Sequence, residues 1–422
     1  MGAITEILDR TLAGIRATDD EVRAWVAIDE ELAYSDARML EARLERGEDL
    51  PLAGLTAGVK DIIDVAGLPT VAGFAPFEGR LVSRDAPLVA RLREAGALIV
   101  GKTVTTQFAA SDPSKTRNPW NLERTPGGSS AGSAAAVGAW QVDVALGTQT
   151  GGSVLRPSAF CGVVGFKPTY GWTSMEGVIP YAVSLDTLGI HTRSVRHAAR
   201  VYDALARPGM PRCGSCDPLG PPRIGVWADA LAHASEAMRA AVIDAIEALA
   251  KEGSIVTDAI APYSFDNMLA MHAIIIRAEG AAAHSRLLRH HAEHYAPNVR
   301  ATLETGLALP ADAYIRAQKL RDHARAATVA EWSRYDVIAI PTSDDAAPTP
   351  ETTGNPALQA VITMLGLPAI TLPIGFNADY LPLGIQLVGT HPEADVHLLR
   401  VARWVETHMP RLPRPPHGVQ ET

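Results

Sequence analysis

The feature that most constrains this chain is a succession of short apolar segments, each closed by glycine or proline and separated by stretches with helical spacing. Residues 56–59, 98–100 and 142–146 are such segments, and a helix is expected over 87–95 between two of them. Strands this short, alternating with helices, form an α/β sheet with helices packed on its faces. Ahead of them, Ile4, Ile7, Leu8, Thr11, Leu12 and Ile15 recur at the spacing of an amphipathic helix. A second helix is expected over 30–46, ending at Gly47. The Pro- and Gly-rich segment 207–222 reads as a linker. Beyond it come a strand at 223–227, a helix at 235–251, a strand near Ile255, an almost wholly helical stretch over 266–332, and strands again at 337–340 and 384–388. Strands near both ends predict one large sheet with a helical insertion rather than separate domains.

Composition excludes several classes. The chain has 422 residues, 47% hydrophobic and 20% charged, which leaves ample apolar surface to offset the entropy of ordering. With 38 Lys and Arg against 47 Asp and Glu, the net charge is −9, and no basic stripe of the kind that binds nucleic acid is present. Three cysteines suit a reducing compartment better than a disulfide framework. Cys213 and Cys216 form a C-x-x-C, but they lie in the 207–222 loop without the strand–helix context of a redox motif. The acidic N-terminus lacks the pattern of a signal peptide, and no apolar run approaches the ~18 residues of a membrane span. A cytoplasmic enzyme without membrane or nucleic-acid partners is therefore expected.

Three literal motifs are read as decoys. Gly96 to Thr103 fits G-x-x-x-x-G-K-[ST], but its interior, Ala-Leu-Ile-Val, is strand-like and a helix precedes it, so its N–H groups belong to a sheet and not to a phosphate. Gly128 to Gly132 fits G-x-S-x-G, but a polar loop stands where the nucleophile elbow needs a strand. His284, His290, His291 and His294 cluster in sequence, with Glu293 expected on another face. They read as a solvated helix face rather than a metal site.

The informative segments are Thr125-Pro-Gly-Gly-Ser-Ser-Ala-Gly-Ser-Ala-Ala-Ala-Val137 and Leu146-Gly-Thr-Gln-Thr-Gly-Gly-Ser-Val-Leu-Arg-Pro157. Their Gly-Gly-Ser elements lie 24 residues apart, with a helix and a strand between. Glycine lets the backbone approach a ligand closely, and Thr150-Gly-Gly-Ser153 could aim several N–H groups at a developing oxyanion with a serine at the end of the loop. On this pattern alone, a pair of structural glycine turns explains the residues equally well.

These segments, together with Gly58-Val-Lys-Asp-Ile-Ile-Asp64, Phe160-Cys-Gly-Val-Val-Gly-Phe-Lys-Pro168, Gly366-Leu-Pro-Ala-Ile-Thr-Leu-Pro373 and Leu381-Pro-Leu-Gly-Ile-Gln-Leu-Val-Gly389, resemble the amidase signature family in order and spacing over residues 56–405. The resemblance implies a single amidase domain over 1–422, with a large mixed central sheet covered by helices on both faces. Its parts would be N-terminal helices (1–50), a catalytic core (51–206), the linker (207–222), a helical substrate-pocket region (266–332) and a return to the sheet (337–405). It implies a Ser–cis-Ser–Lys set in which Lys60 is the base, Ser129 the relay across a cis Gly128–Ser129 peptide, and Ser153 the nucleophile. Thr150, Gly151, Gly152 and Ser153 would form the oxyanion hole, and Arg156, Ser130 and Gly128 would contact substrate. Lys60 would have to be buried and neutral, which Val59, Ile62 and Ile63 favour; lowering a lysine pKa by about three units costs roughly 4 kcal/mol.

No metal and no organic cofactor is called for. The implied partner is a small-molecule amide. The first helix either serves a homodimer, as relatives often form, or covers the sheet.

The sequence departs from the commoner family pattern after Ser153, where Leu155 stands in the usual arginine position and Arg156 follows it. This arrangement resembles malonamidases, where the arginine recognises a substrate carboxylate, as a guanidinium fork is shaped to do. A structural ion pair is the competing reading of Arg156. Ala131 replaces a family glycine. The expected activity is cleavage of the C–N bond of a small, malonamate-like amide through a serine acyl-enzyme. The alternatives are a carbamate or aryl/alkyl amide hydrolase using the same residues, and the glutaminase subunit of a tRNA amidotransferase.

Overall fold

A computed structural model of the chain describes residues 2–420. Eleven strands follow in chain order: β1 (Trp25–Ile28), β2 (Thr56–Lys60), β3 (Leu98–Thr103), β4 (Val144–Gln149), β5 (Val164–Lys167), β6 (Thr187–Thr192), β7 (Arg223–Trp227), β8 (Ile255–Ala259), β9 (Val337–Pro341), β10 (Ala369–Phe376) and β11 (Pro382–Gly389). They form one sheet in the order β1-β3-β2-β4-β6-β5-β10-β11-β9-β7-β8. The pairs β3–β2–β4 and β9–β7–β8 are parallel, and the remaining pairs are antiparallel, so the sheet is mixed as expected. Because the sheet runs unbroken from β5 and β6 to β7 and β8, the segment 207–222 crosses between parts of one sheet.

Alternation along the strands sends successive side chains to opposite faces. Ala57, Val59, Val144, Leu146, Leu188, Ile190, Val337, Ala339, Ile385 and Leu387 enter one continuous core. The intervening residues divide between two smaller cores on the other face, one holding Val100 and Ala145, the other Ile338, Ile340 and Ala369. The first helix, Ala3–Val22, buries Ile4, Leu8, Leu12 and Ile15 in the former of these two, so its apolar face is spent on covering the sheet. The helices Ala131–Gly138 and Leu155–Phe160, every residue of which is buried, join these two cores through Ala134 to Val137 and through Leu155, respectively. The small residues of the first let it lie directly on the backbone: a Cβ at Gly132 would stand 2.2 Å from Ala24 O and 2.4 Å from Val104 N.

The helical stretch resolves into Phe265–His291, Pro297–Leu307 and Ala311–Trp332. Strands β1, β5, β6 and β10 were not expected from pattern alone. β6 carries Thr187, His191 and Thr192 beside its apolar residues, so it lacks a clear apolar run. Among the described residues, no helix is long and apolar enough to cross a membrane.

Strand β3 runs through Gly101, Lys102 and Thr103, which disposes of the phosphate-loop pattern. Lys102 is fully buried and its Nζ lies 3.1 Å from Asp61 Oδ1. It also donates to Pro69 O and Thr70 Oγ1, each at 2.9 Å. Removing one member of a buried pair strands the other as an uncompensated charge. Lys102→Met should therefore lower the unfolding free energy by about 3–5 kcal/mol. Adding Asp61→Asn to that variant should recover most of the loss, as read from urea denaturation midpoints.

Candidate active site

Lys60 ends β2 with its side chain fully buried. Its Nζ donates to Ser129 Oγ at 2.7 Å, to Ser130 Oγ at 3.0 Å and to Thr148 Oγ1 at 3.0 Å. Three hydroxyls and no carboxylate in contact leave the ammonium poorly compensated. Burial pushes the Lys60 pKa well below the ordinary lysine value, against the weaker pull of the Asp186 carboxylate. The Gly128–Ser129 peptide is cis. The two glycine–serine elements meet where Ser130 N donates to Ser153 O at 3.3 Å.

The loop after β4 is held from behind. His272 Nε2 lies 2.9 Å from Thr150 O, and Thr363 Oγ1 donates to Gly151 O at 2.6 Å. Thr150 Oγ1 donates to Asp186 Oδ1 at 2.5 Å, and Asp186 Oδ2 accepts from the N–H groups of Tyr181 and Ala182. Burial pushes Asp186 up to about 6 even so. Gln149 Oε1 accepts from Val154 N and Leu155 N, which fixes the start of the short helix after Ser153. Among the described residues, the N–H groups of Gly151, Gly152 and Ser153 have no acceptor. With the carbonyls tied back, these donors are available to an incoming oxygen.

A cavity of about 450 Å³ opens at this loop. Thr150, Gly151, Gly152, Ser153 and Arg156 line one side; Leu269, His272, Ile276 and Arg277 of the helix Phe265–His291 line another. The stretch 266–332 thus does contribute to the cavity wall. A second cavity, of about 330 Å³ and lined by Trp120, Trp140 and Arg193, touches none of these serines.

Arg156 is 4% exposed. Its Nη2 donates to Gly128 O at 2.8 Å and to Thr353 Oγ1 at 3.3 Å, while Nε and Nη1 are buried without a partner. The expected competing role, an ion pair with a loop carboxylate, is absent among the described residues; Asp344 acts on it only at longer range. Burial pushes its pKa down to about 10.

Ser130 and Gly128 fall elsewhere than expected. Ser130 is fully buried on the lysine side and does not line the cavity, and the Gly128 carbonyl is taken by Arg156. Thr148, Asp186, His272, Thr353 and Thr363 were not singled out from sequence. Thr148 sits within the 146–157 segment without being picked out there, and Asp186, His272, Thr353 and Thr363 come from distant parts of the chain.

The other candidates stay apart from this site. Cys213 and Cys216 are free thiols in the loop. His284 is buried, with Nδ1 3.1 Å from Tyr295 Oη and its ring against Phe108. Glu293 does not face away as expected: His291, Glu293 and His294 place their ligand atoms within 4.8 Å of one another where the helix gives way to a 3₁₀ turn.

A lysine pKa lowered by folding means that the unfolded chain binds more protons between the folded value and about 10.4, so stability rises with pH across that window. The difference in unfolding free energy between wild type and Lys60→Met should therefore shift toward wild type as the pH rises from about 7 to about 10. Chemical denaturation at several pH values measures it; a pH-independent difference would mean that the amine is not depressed.

The chain matches the Amidase family over residues 6–399. It is similar to the A subunit of the Glutamyl-tRNA(Gln) amidotransferase of Anaeromyxobacter dehalogenans, 37% identical over 465 aligned residues that cover 98% of this chain and 94% of the relative. The corresponding protein of a Roseiflexus species is 36% identical, with 98% of this chain and 96% of the relative covered. Among solved structures, one described as an amidase superimposes with a TM-score of 0.87 at 32% identity, covering 96% of both chains. The native peptide amidase of Stenotrophomonas maltophilia superimposes with a TM-score of 0.83 at 28% identity, covering 98% of this chain and 95% of that one. With the family matched over nearly its whole length and the same sheet recurring in these structures, the chain belongs to the amidase family and is a hydrolase of carbon–nitrogen bonds.

Proposed function

We propose that this amidase cleaves a small amide that also carries a carboxylate, with Ser153 as nucleophile, Ser129 as proton relay and Lys60 as base. The observation that carries the reading is the buried Lys60 amine 2.7 Å from Ser129 Oγ, at the junction with the Ser153 loop. A serine hydroxyl attacks only when a neighbouring base takes its proton. Neutral Lys60 accepts the Ser129 proton as Ser129 accepts that of Ser153. Ser153 Oγ bonds to the carbonyl carbon, and the oxygen of the tetrahedral intermediate takes hydrogen bonds from the N–H groups of Gly151, Gly152 and Ser153. The proton returns through Ser129 to the leaving nitrogen as the C–N bond breaks. Water then attacks the acyl carbon and passes a proton through Ser129 to Lys60; the bond from Ser153 Oγ to the acyl carbon breaks, the proton returns to Ser153 Oγ, and the acid leaves.

Arg156 supports the carboxylate part of the reading. Its unpartnered Nε and Nη1 belong to a residue in the cavity wall, and a buried guanidinium with free donors is costly unless something fills them. A substrate carboxylate would do so.

Glutamine is also a primary amide with a carboxylate, and the relatives named as amidotransferase subunits favour a second reading, a glutaminase that works with partner subunits. Assays of ammonia or amine release by the isolated chain on malonamate, glutamine, a neutral short amide, an anilide and a carbamate separate the readings. Turnover of malonamate alone supports the first. Glutamine turnover that appears only with the other subunits of an amidotransferase supports the second. Turnover of the neutral amide, anilide or carbamate sinks the carboxylate requirement.

Ser153→Ala and Lys60→Met should each lower kcat by at least ~10³-fold. Turnover should fall as the pH drops through the depressed Lys60 pKa, because the protonated amine cannot accept. Arg156→Leu should raise KM for a carboxylated amide by about 10–100-fold, in line with ~1.5–3 kcal/mol for a charged hydrogen bond. Its effect on neutral amides should be small.

A further inference from the structure

One buried titratable neighbour plays no part in the proton path above, His191 on β6. It is fully buried, and its pKa is pushed down to about 3 by burial, helped by Lys60, so its ring is neutral. Its Nδ1 lies 2.8 Å from Ser158 Oγ. Its Nε2 is buried with no partner, a state that costs free energy in a protein interior.

That nitrogen converges on the lysine cluster. His191 pairs with Ala145 of β4, and Gly147, two residues on, therefore presents its Cα to the same face. A Cβ built on Gly147 would stand 2.5 Å from His191 Nε2 and 2.7 Å from Ser130 Oγ. The bare glycine is what lets these two atoms approach the same point. Ser130 Oγ already accepts from Lys60 Nζ at 3.0 Å; it donates to Thr148 O and accepts from Thr148 N over long contacts of 3.3 Å each.

We infer that His191 is a positioning residue for the Lys60 amine, acting through Ser130. With Nδ1–H donated to Ser158, Nε2 is an acceptor, and the Ser130 hydroxyl turns its proton to it from the long bond with Thr148 O. The Ser130 lone pairs then face Lys60, which holds the amine in register and leaves its lone pair for Ser129. A hydroxyl that donates onward is also a stronger acceptor, and it favours the ammonium over the amine. His191 thus raises the basicity of Lys60 from behind. Asp186 is the charged group acting on Lys60, and Lys60 is the charged group acting on His191; Ser130, Thr148 and Ser158 around them are uncharged. The inference rests on the reading of Lys60, Ser129 and Ser153 as the proton path.

Because the substrate is unidentified, the probe is phenylmethylsulfonyl fluoride, whose sulfonylation of a nucleophilic serine is followed by intact mass across a range of pH. Wild type should be modified once, and Ser153→Ala should not be modified. His191→Leu should slow modification about tenfold, a fraction of the ~10²–10⁴ that a positioned base supplies. It should also move the midpoint of the rate–pH profile to lower pH. His191→Gln, which restores a polar acceptor, should recover part of both effects. Ser158→Ala, which frees the far side of the ring, should act in the same direction more weakly, and it serves if His191→Leu fails to fold. In a Ser130→Ala background, His191→Leu should add nothing, since its route is gone.

An unchanged profile midpoint, no recovery with Gln, or full additivity with Ser130→Ala would overturn the role of His191 while leaving the proton path intact. Single modification that survives Ser153→Ala would instead overturn the proton path itself.

Discussion

The structure turns on one poorly compensated charge site, the Lys60 amine closed off from water and met by hydroxyls alone. A lysine can be kept in such a place only if its neighbours are fixed, because three hydroxyls hold an ammonium far less well than a carboxylate does. The fixing is done by packing. The helix Ala131–Gly138 that follows Ser130 packs its small side chains on the sheet, and at Gly132, which touches the backbone at Ala24 and Val104, there is no room for a Cβ. The contrast with Lys102 is direct. It is equally buried on the adjacent strand, but it faces Asp61, whose carboxylate opposes the burial that lowers its pKa.

The sheet explains why the site sits where it does. One face carries a continuous apolar core, while the other is split in two. Near these smaller cores two buried helices bring Ser133, Arg156 and Ser158 to the sheet, and β4 and β6 carry glycines, where Gly147 and Gly189 pair. A split face of this kind is the place in a large sheet where polar side chains can collect without displacing apolar packing. The long helix Phe265–His291 then closes the cavity from the side, bringing His272 onto the loop that ends in Ser153.

Local sequence made much of this legible. Gly-Gly-Ser elements, the glycine-rich turns and the short strands between them are properties of neighbouring residues. They suffice to expect an α/β sheet and carry much of the resemblance to the amidase signature family, and it is that resemblance which implies Lys60, Ser129 and Ser153 as candidates. The same local reading failed where the signal was weak or shared. Strands β1, β5, β6 and β10 lack a distinctive pattern, and Glu293 was placed on the wrong side of its histidines.

What the sequence determined by itself is therefore which residues are available and which backbone turns they allow. Tertiary structure alone decided which of them meet. Thr148 on β4, Asp186 and His191 at β6, His272 and Thr363 all reach the site, the last two more than a hundred residues from the loop they hold. Among the described residues Arg156 has no carboxylate in contact; the partner that reaches it from far along the chain is Thr353. Burial, charge compensation and hydrogen-bond satisfaction are set by three-dimensional surroundings. That is why the chemistry of Lys60 and Arg156 becomes definite only once the sheet has formed.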